Sequence, residues 1–283
     1  MAEYFTARGL PVPRELQQNP LTDWRKLLGI AAVLVVLYVG LTITDINTGR
    51  ANPAYAWNII LQLFKWDFSI MTPRDEFETF RDTAWWKMIE TIFLGVMATA
   101  FAIVISLPLA FLGARNIMAG NPITQAIYVA IRVIFTIIRS IDVLIVVIVL
   151  LVIFGPGNAA GVFGLAFHNI GVLGKLYSEA IESIDAGPLE AITATGANRV
   201  QVVWTAVLPQ ITNPFISFTI YRLDTNVRLA PILGLVGGGG IGTDLFQSIQ
   251  LFHYGAAGLI IFMIVFTVAT MDFVSAQIRK RLV

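Results

Sequence analysis

Two stretches of this sequence carry residue types that could do chemistry. The first is "YRLDTNVRL", residues 221–229, where Arg222, Asp224, Asn226 and Arg228 interrupt a long apolar run. Asp224 and Arg228 stand four apart with the acid first, the order that favours an ion pair along one helix face. Arg222 turns away from Asp224 and shares a face with Asn226, so no local acid neutralises it. A guanidinium offers a fork of donors matched to an oxyanion, so Arg222 with Asn226 would line the path of an anion. The alternatives are that Arg222 snorkels to an interface or pairs with another helix.

The second stretch is "LGLVGGGGIG", residues 233–242, with a G-x-G-x-x-G match at Gly237, Gly239 and Gly242. A dinucleotide site would need a strand before it, a helix after it and an acid about 20 residues on. The residues before it belong to an apolar span, Asp244 comes too early and Asp272 too late, so no dinucleotide is expected. Consecutive glycines make poor helix, each costing up to about 1 kcal/mol relative to alanine. Gly237, Gly238, Gly239 and Gly240 therefore mark either a helix break beside the anion's path or a plain turn before "TDLFQSIQLFHYG".

Other chemistries find little support. The chain has no cysteine and two histidines, His168 and His253, so no metal site is expected. Neither H-E-x-x-H nor G-x-S-x-G occurs, and "GVLGKLYS", residues 171–178, lacks the spacing and the hydroxyl of a phosphate-binding loop. The chain is not expected to be an enzyme or to hold a cofactor of its own. A net charge of +1 gives no ground for a nucleic-acid partner.

The elements that position these residues are set by the solvent. Hydrophobic residues make up 57% of the 283 and charged ones 13%, and the mean hydropathy is +0.76. This is the composition of an all-α integral membrane protein, with the lipid bilayer as its surroundings. Six apolar runs are long enough to cross, at about 27–44, 86–113, 124–154, 160–181, 203–232 and 255–278. The third is too long for a straight crossing, so "RSID", residues 139–142, should bend it, with Arg139 and Asp142 paired across the bend. Lys and Arg gather on one side when both termini are cytoplasmic. The organisation expected is a cytoplasmic segment 1–26, a first span 27–44, an outer connection 45–85 and a core 86–283. In the connection, "NPAYAWNIILQLFKWDFSI" reads either as an amphipathic helix in the membrane interface or as a short helix packed on the bundle.

Between the fourth and fifth spans lies "EAIESIDAGPLEAITATGANRVQVVWTAVLPQ", residues 179–210. Pro188 suits a first helical turn, Gly196 a left-handed helix end, and Asn198 with Gln201 a capping box. A helix of about eight residues is too short to stand alone in water, so something must hold it. On spacing alone this is a compact connector.

"EAITATGANRVQVVWTAVLPQ" resembles the E-A-A-x-x-x-G segment, followed by L-P, of the transmembrane subunits of ABC importers. Glu190, Ala191, Gly196, Leu208 and Pro209 carry the match, with Ile192 in place of the second alanine and Ala206 where an isoleucine is usual, and Ala197 belongs to the same implied docking segment. Over residues 85–283, "SEAIESID", "ATGANR", "LPQ", "YRLDTNVR" and "GLVGGGGIG" are similar to the phosphonate permeases of that family. The resemblance implies a type I ABC importer permease fold that works as a homodimer. It implies a coupling helix docked on a dimer of separate ATP-binding subunits, which hold ATP and Mg, and an extracytoplasmic phosphonate-binding protein. Related permeases for phosphite or phosphate would share these motifs. A stand-alone secondary transporter, using Arg222, Asp224 and Arg228 as an ion pathway, is the contrasting reading.

Overall fold

The computed structural model describes residues 8–9, 24–44, 52–72 and 80–280. Most of the expected segment 1–26, and residues 45–51 and 73–79 of the connection, lie outside the described residues. Among the described residues every regular element is a helix. The chain divides into two compact units, Met1–Asn58 and Ile59–Val283.

The first unit holds α1, Trp24–Ile43, whose apolar side chains from Leu27 onward are exposed. It also holds the start of α2, Pro53–Leu63, where the Asn52 side chain accepts from the backbone of Ala54 and Tyr55. This is an asparagine cap with proline at the first helical position. Tyr55, Trp57, Phe64, Trp66 and Phe68 are all exposed, and within the second unit the Trp66 ring lies 4.6 Å from that of Phe262.

The second unit contains α3 (Ala84–Leu112), a single turn α4 (Arg115–Met118), α5 (Pro122–Ser140), α6 (Val143–Phe154) and α7 (Asn158–Glu182). Beyond them come α8 (Ala186–Ala194), α9 (Arg199–Val202), α10 (Leu208–Leu235), α11 (Ile241–Gln250) and α12 (Tyr254–Lys280). Four of these, α3, α5, α7 and α12, are long and apolar enough to cross a membrane. α7 is the centre of the bundle, packed on α3, α5, α6 and α10. Its small residues make that possible: a Cβ on Gly164 would collide with Val147 of α6, and one on Gly174 with the Phe135 ring of α5. Where lipid removes the hydrophobic drive between helices, such close approach is what holds them together.

The third apolar run is broken inside the segment where a bend was expected. Ile141 and Asp142 are extended, and the Asp142 carboxylate accepts from the Leu144 amide at 2.8 Å, capping α6. The expected Arg139–Asp142 pair is absent from the ion pairs of the described residues, because the N-cap takes the carboxylate instead.

α10 is entered through a five-residue π-helical stretch, Val203–Val207. Proline at position 209 has no amide to return to Thr205, and the wider π turn absorbs that loss before Pro209 opens α10.

Candidate functional site

One candidate site is the helix–turn–helix around α8. Asp185 caps it, accepting from the Gly187 amide at 3.0 Å. Thr195 and Gly196 close its other end by donating their amides to the Ile192 and Thr193 carbonyls, and Gly196 sits at φ +80°. A Cβ there would meet nothing within 4 Å, so the glycine answers a backbone demand and not a crowded neighbour. Asn198 and Gln201 exchange two hydrogen bonds, each 2.9 Å, and start α9. What holds the short helix is Gln210 of α10. Its Oε1 accepts from the Asp185 amide at 2.9 Å, and its Nε2 donates to the Ala206 carbonyl at 2.8 Å. Leu189 and Leu208 pack on a core of Leu173, Tyr177, Val207 and Ile211. The opposite face of α8, with Glu190 and Ala191, is exposed, as is Pro209 at the start of α10, and Ala197 is half-buried. Beside it, Glu182 accepts from the Arg115 amide at 2.7 Å and forms an ion pair with the Arg132 guanidinium at 2.5 Å, which ties the end of α7 to α4 and α5.

The second candidate is a polar layer halfway along α10. Arg222 is 8% exposed and donates through Nε and Nη2 to one oxygen, Oδ1 of Asn169 on α7, the Nε bond measuring 3.0 Å. Asn226, fully buried, donates to Thr99 of α3 at 2.7 Å. The two residues thus share a face of α10 but part to different helices, and Asn226 spends its amide on holding α10 to α3. Asp224 and Arg228 lie 3.3 Å apart along α10, and Arg228 also reaches Asp272 of α12 at 2.6 Å. α10 therefore turns its acid toward α12 and its buried cation toward α7.

The glycine segment ends α10 and starts α11. Gly237, Gly239 and Gly240 have φ between +72° and +97°, and the Gly238 amide returns to the Leu233 carbonyl at 2.8 Å. Gly238 packs against Gly161 of α7 so closely that a Cβ on Gly161 would strike its carbonyl. The Ile241 amide donates to Thr91 Oγ1 at 2.8 Å. Thr91 lies two turns below the start of α3, or about 10 Å at about 1.5 Å per residue. The turn is thus sunk below the end of the bundle, where packed protein satisfies its irregular backbone.

Nearby, a cavity of about 220 Å³ is lined by Thr72, Asp82, Asp244, Gln247, Ser248 and His253, among others. Burial pushes the Asp244 carboxyl up to about 6; Lys87 opposes the shift, while Glu90 and Asp82 add to it.

Two bonding partners have no role that the sequence assigns, although Gln210 closes the "LPQ" motif. Asn169 and Gln210 are unremarkable amides in sequence, and each finds its role only through a residue far along the chain. For the Asp142 and Asp185 caps there was a readable signal, an aspartate immediately before a helical run.

The fold is thus a bundle of helices long and apolar enough to cross a membrane, carrying a braced, exposed helix–turn–helix. The chain belongs to the family described as the binding-protein-dependent transport system inner membrane component, whose model matches residues 116–283. It is 33% identical over 290 residues to the phosphite transport system permease protein PtxC of Stutzerimonas stutzeri, covering 99% of each chain. It is 34% identical over 273 residues to the phosphate-import permease protein PhnE of Mycolicibacterium smegmatis, covering 94% of this chain and 48% of that one. The chain therefore spans about half the length of the latter relative. The fold is similar to that in inward-facing conformations of the MetNI methionine ABC transporter, with a TM-score of 0.58 at 24% identity over 69% of this chain and 94% of that one. The chain is thus a multi-pass membrane protein of the ABC importer permease kind.

Proposed function

We propose that this chain is the membrane-spanning subunit of an ATP-driven importer for phosphonates, working by alternating access. Two copies form the path, six spans cross in each, and both termini lie in the cytoplasm. The observation that carries the reading is the face of α8, which the Gly196 turn and the Asp185–Gln210 brace hold rigid while Glu190 and Ala191 stay exposed. A preformed knob of this kind transmits force to a partner without first paying an ordering entropy. That partner is a dimer of separate ATP-binding subunits carrying ATP and Mg, and a binding protein delivers substrate at the opposite side. The sunken glycine turn, Gly237 to Gly240, stands beside the path, and Arg222 meets the anion when α7 and α10 part. The names of the relatives, which speak of phosphite and phosphate, make those oxyanions the alternative cargo.

The test is ATP hydrolysis by the assembled complex in proteoliposomes, with the cognate binding protein inside a panel of methylphosphonate, phosphite, phosphate and sulfate. Stimulation by methylphosphonate above the others is the expected result. Uptake that proceeds without the ATP-binding subunit would overturn the reading in favour of a secondary transporter.

A further inference from the structure

The polar layer of α10 holds an imbalance that its own contacts leave unresolved. Arg222 is buried, and its partner is a neutral amide where a carboxylate would neutralise it. Both of its bonds fall on the oxygen of Asn169, so the Asn169 amide nitrogen, in a residue with no exposed surface, has no hydrogen-bond partner among the described residues. An orphaned buried donor and a buried charge without a counter-ion are each costly, and here they lie side by side. Arg139 at the end of α5 is within electrostatic reach of Arg222, and both act on His168 of α7. The His168 Nδ1 donates to the Ile141 carbonyl at 3.2 Å. The carboxylate facing this group is Asp142, already engaged as the cap of α6. Arg228, by contrast, has two acids of its own, Asp224 and Asp272. The excess of donors thus sits on the α7 side of α10, about 20 Å from either end of that helix at about 1.5 Å per residue.

We propose that the Arg222 guanidinium and the Asn169 amide together form an oxyanion site in the middle of the bundle, with Arg139 and His168 on its rim. The site takes the tetrahedral PO3 group that phosphonates, phosphite and phosphate share, and it rests on the proposed function. The Asn169 nitrogen supplies one donor and the guanidinium the others, so the anion neutralises the arginine and satisfies the amide at once. Asn226 stands outside the site, since the atom it leaves without a partner is its oxygen, an acceptor that repels an anion.

The decisive variant is Asn169→Asp, in the full-length chain purified in lipid nanodiscs. A carboxylate there pairs with Arg222 and keeps α7 on α10, but it occupies the donors and cancels the charge. Binding of inorganic phosphate, phosphite and methylphosphonate is measured with sulfate as the control, alongside the melting temperature. The site predicts saturable binding to the wild type, weakened about tenfold or more in Asn169→Asp while the melting temperature holds or rises. Arg139→Gln should weaken binding only a few-fold, as a rim charge does. Equal binding by wild type and Asn169→Asp would overturn the site, and so would a wild type that binds none of the three. Either failure removes Arg222 from the path but leaves ATP-driven import standing, which falls instead if uptake proceeds without the ATP-binding subunit or if the assembled complex takes up no phosphorus oxyanion.

Discussion

The α8 turn and the α10 polar layer are both made of hydrogen bonds, yet they are built on opposite plans. Around α8 most bonds join residues two to four apart, such as Asp185 with Gly187 and Asn198 with Gln201. In the polar layer the partners lie 53 residues apart for Arg222 and Asn169, and 127 for Asn226 and Thr99. The first region is exposed and presents a shape; the second is largely buried and stores charge. One is suited to gripping a partner, the other to meeting an ion.

Substitutions should therefore separate the two regions. The largest effect is expected of Arg222→Ala, which strands the Asn169 oxygen beside a nitrogen that already lacks a partner. Each unsatisfied buried group costs about 1–3 kcal/mol, so the melting temperature should drop and uptake should be lost together. Normal uptake at normal expression would break the assignment of this layer to the path. Gly196→Val comes next. A left-handed conformation costs an L-residue about 1–2 kcal/mol, more when β-branched, but no neighbour is struck. The bundle should keep its melting temperature while substrate-stimulated ATP hydrolysis is abolished, and Gly196→Asn should retain most of it. If Gly196→Val still co-purifies with its ATP-binding subunit and transports normally, the turn is not a coupling device.

Smaller effects follow for the residues that support each region. Gln210→Ala removes the brace under Asp185, worth about 1 kcal/mol per hydrogen bond, and should partly uncouple hydrolysis from uptake without lowering binding-protein affinity. The smallest effect concerns Asp244, raised from 3.8 to about 6. Between those values the folded chain holds a proton that the unfolded chain releases, so stability falls as pH rises through that window and stays lower above it. Melting curves of the wild type should show this loss, and Asp244→Asn should flatten it.

Legibility in the sequence followed the same divide. Composition and apolar run length located the helices, and α3, α7 and α12 lie within a few residues of the expected spans. Gly196, Asn198 and Gln201 were readable because their bonds close within a few residues. The glycine segment was readable as a break, though the Thr91 contact 150 residues away that fixes its depth was not. Asp142 departs from its expected pairing with Arg139 because the Leu144 amide, two residues on, takes the carboxylate as a helix cap. That Arg222 would pair with another helix was one of the alternatives its sequence left open, but Asn169 as the partner was not readable, since it depends on how α7 and α10 face each other.

The most direct test of the account uses the absence of cysteine from the chain. A single cysteine at Ala191, on the exposed face of α8, gives a unique handle, with one at Val104 on the exposed side of α3 as the control. In the assembled, transport-active complex, a short bifunctional reagent should link Ala191→Cys to the ATP-binding subunit and leave Val104→Cys unlinked. No link from position 191 in a complex that still transports would contradict the claim that this helix couples ATP hydrolysis to the membrane path.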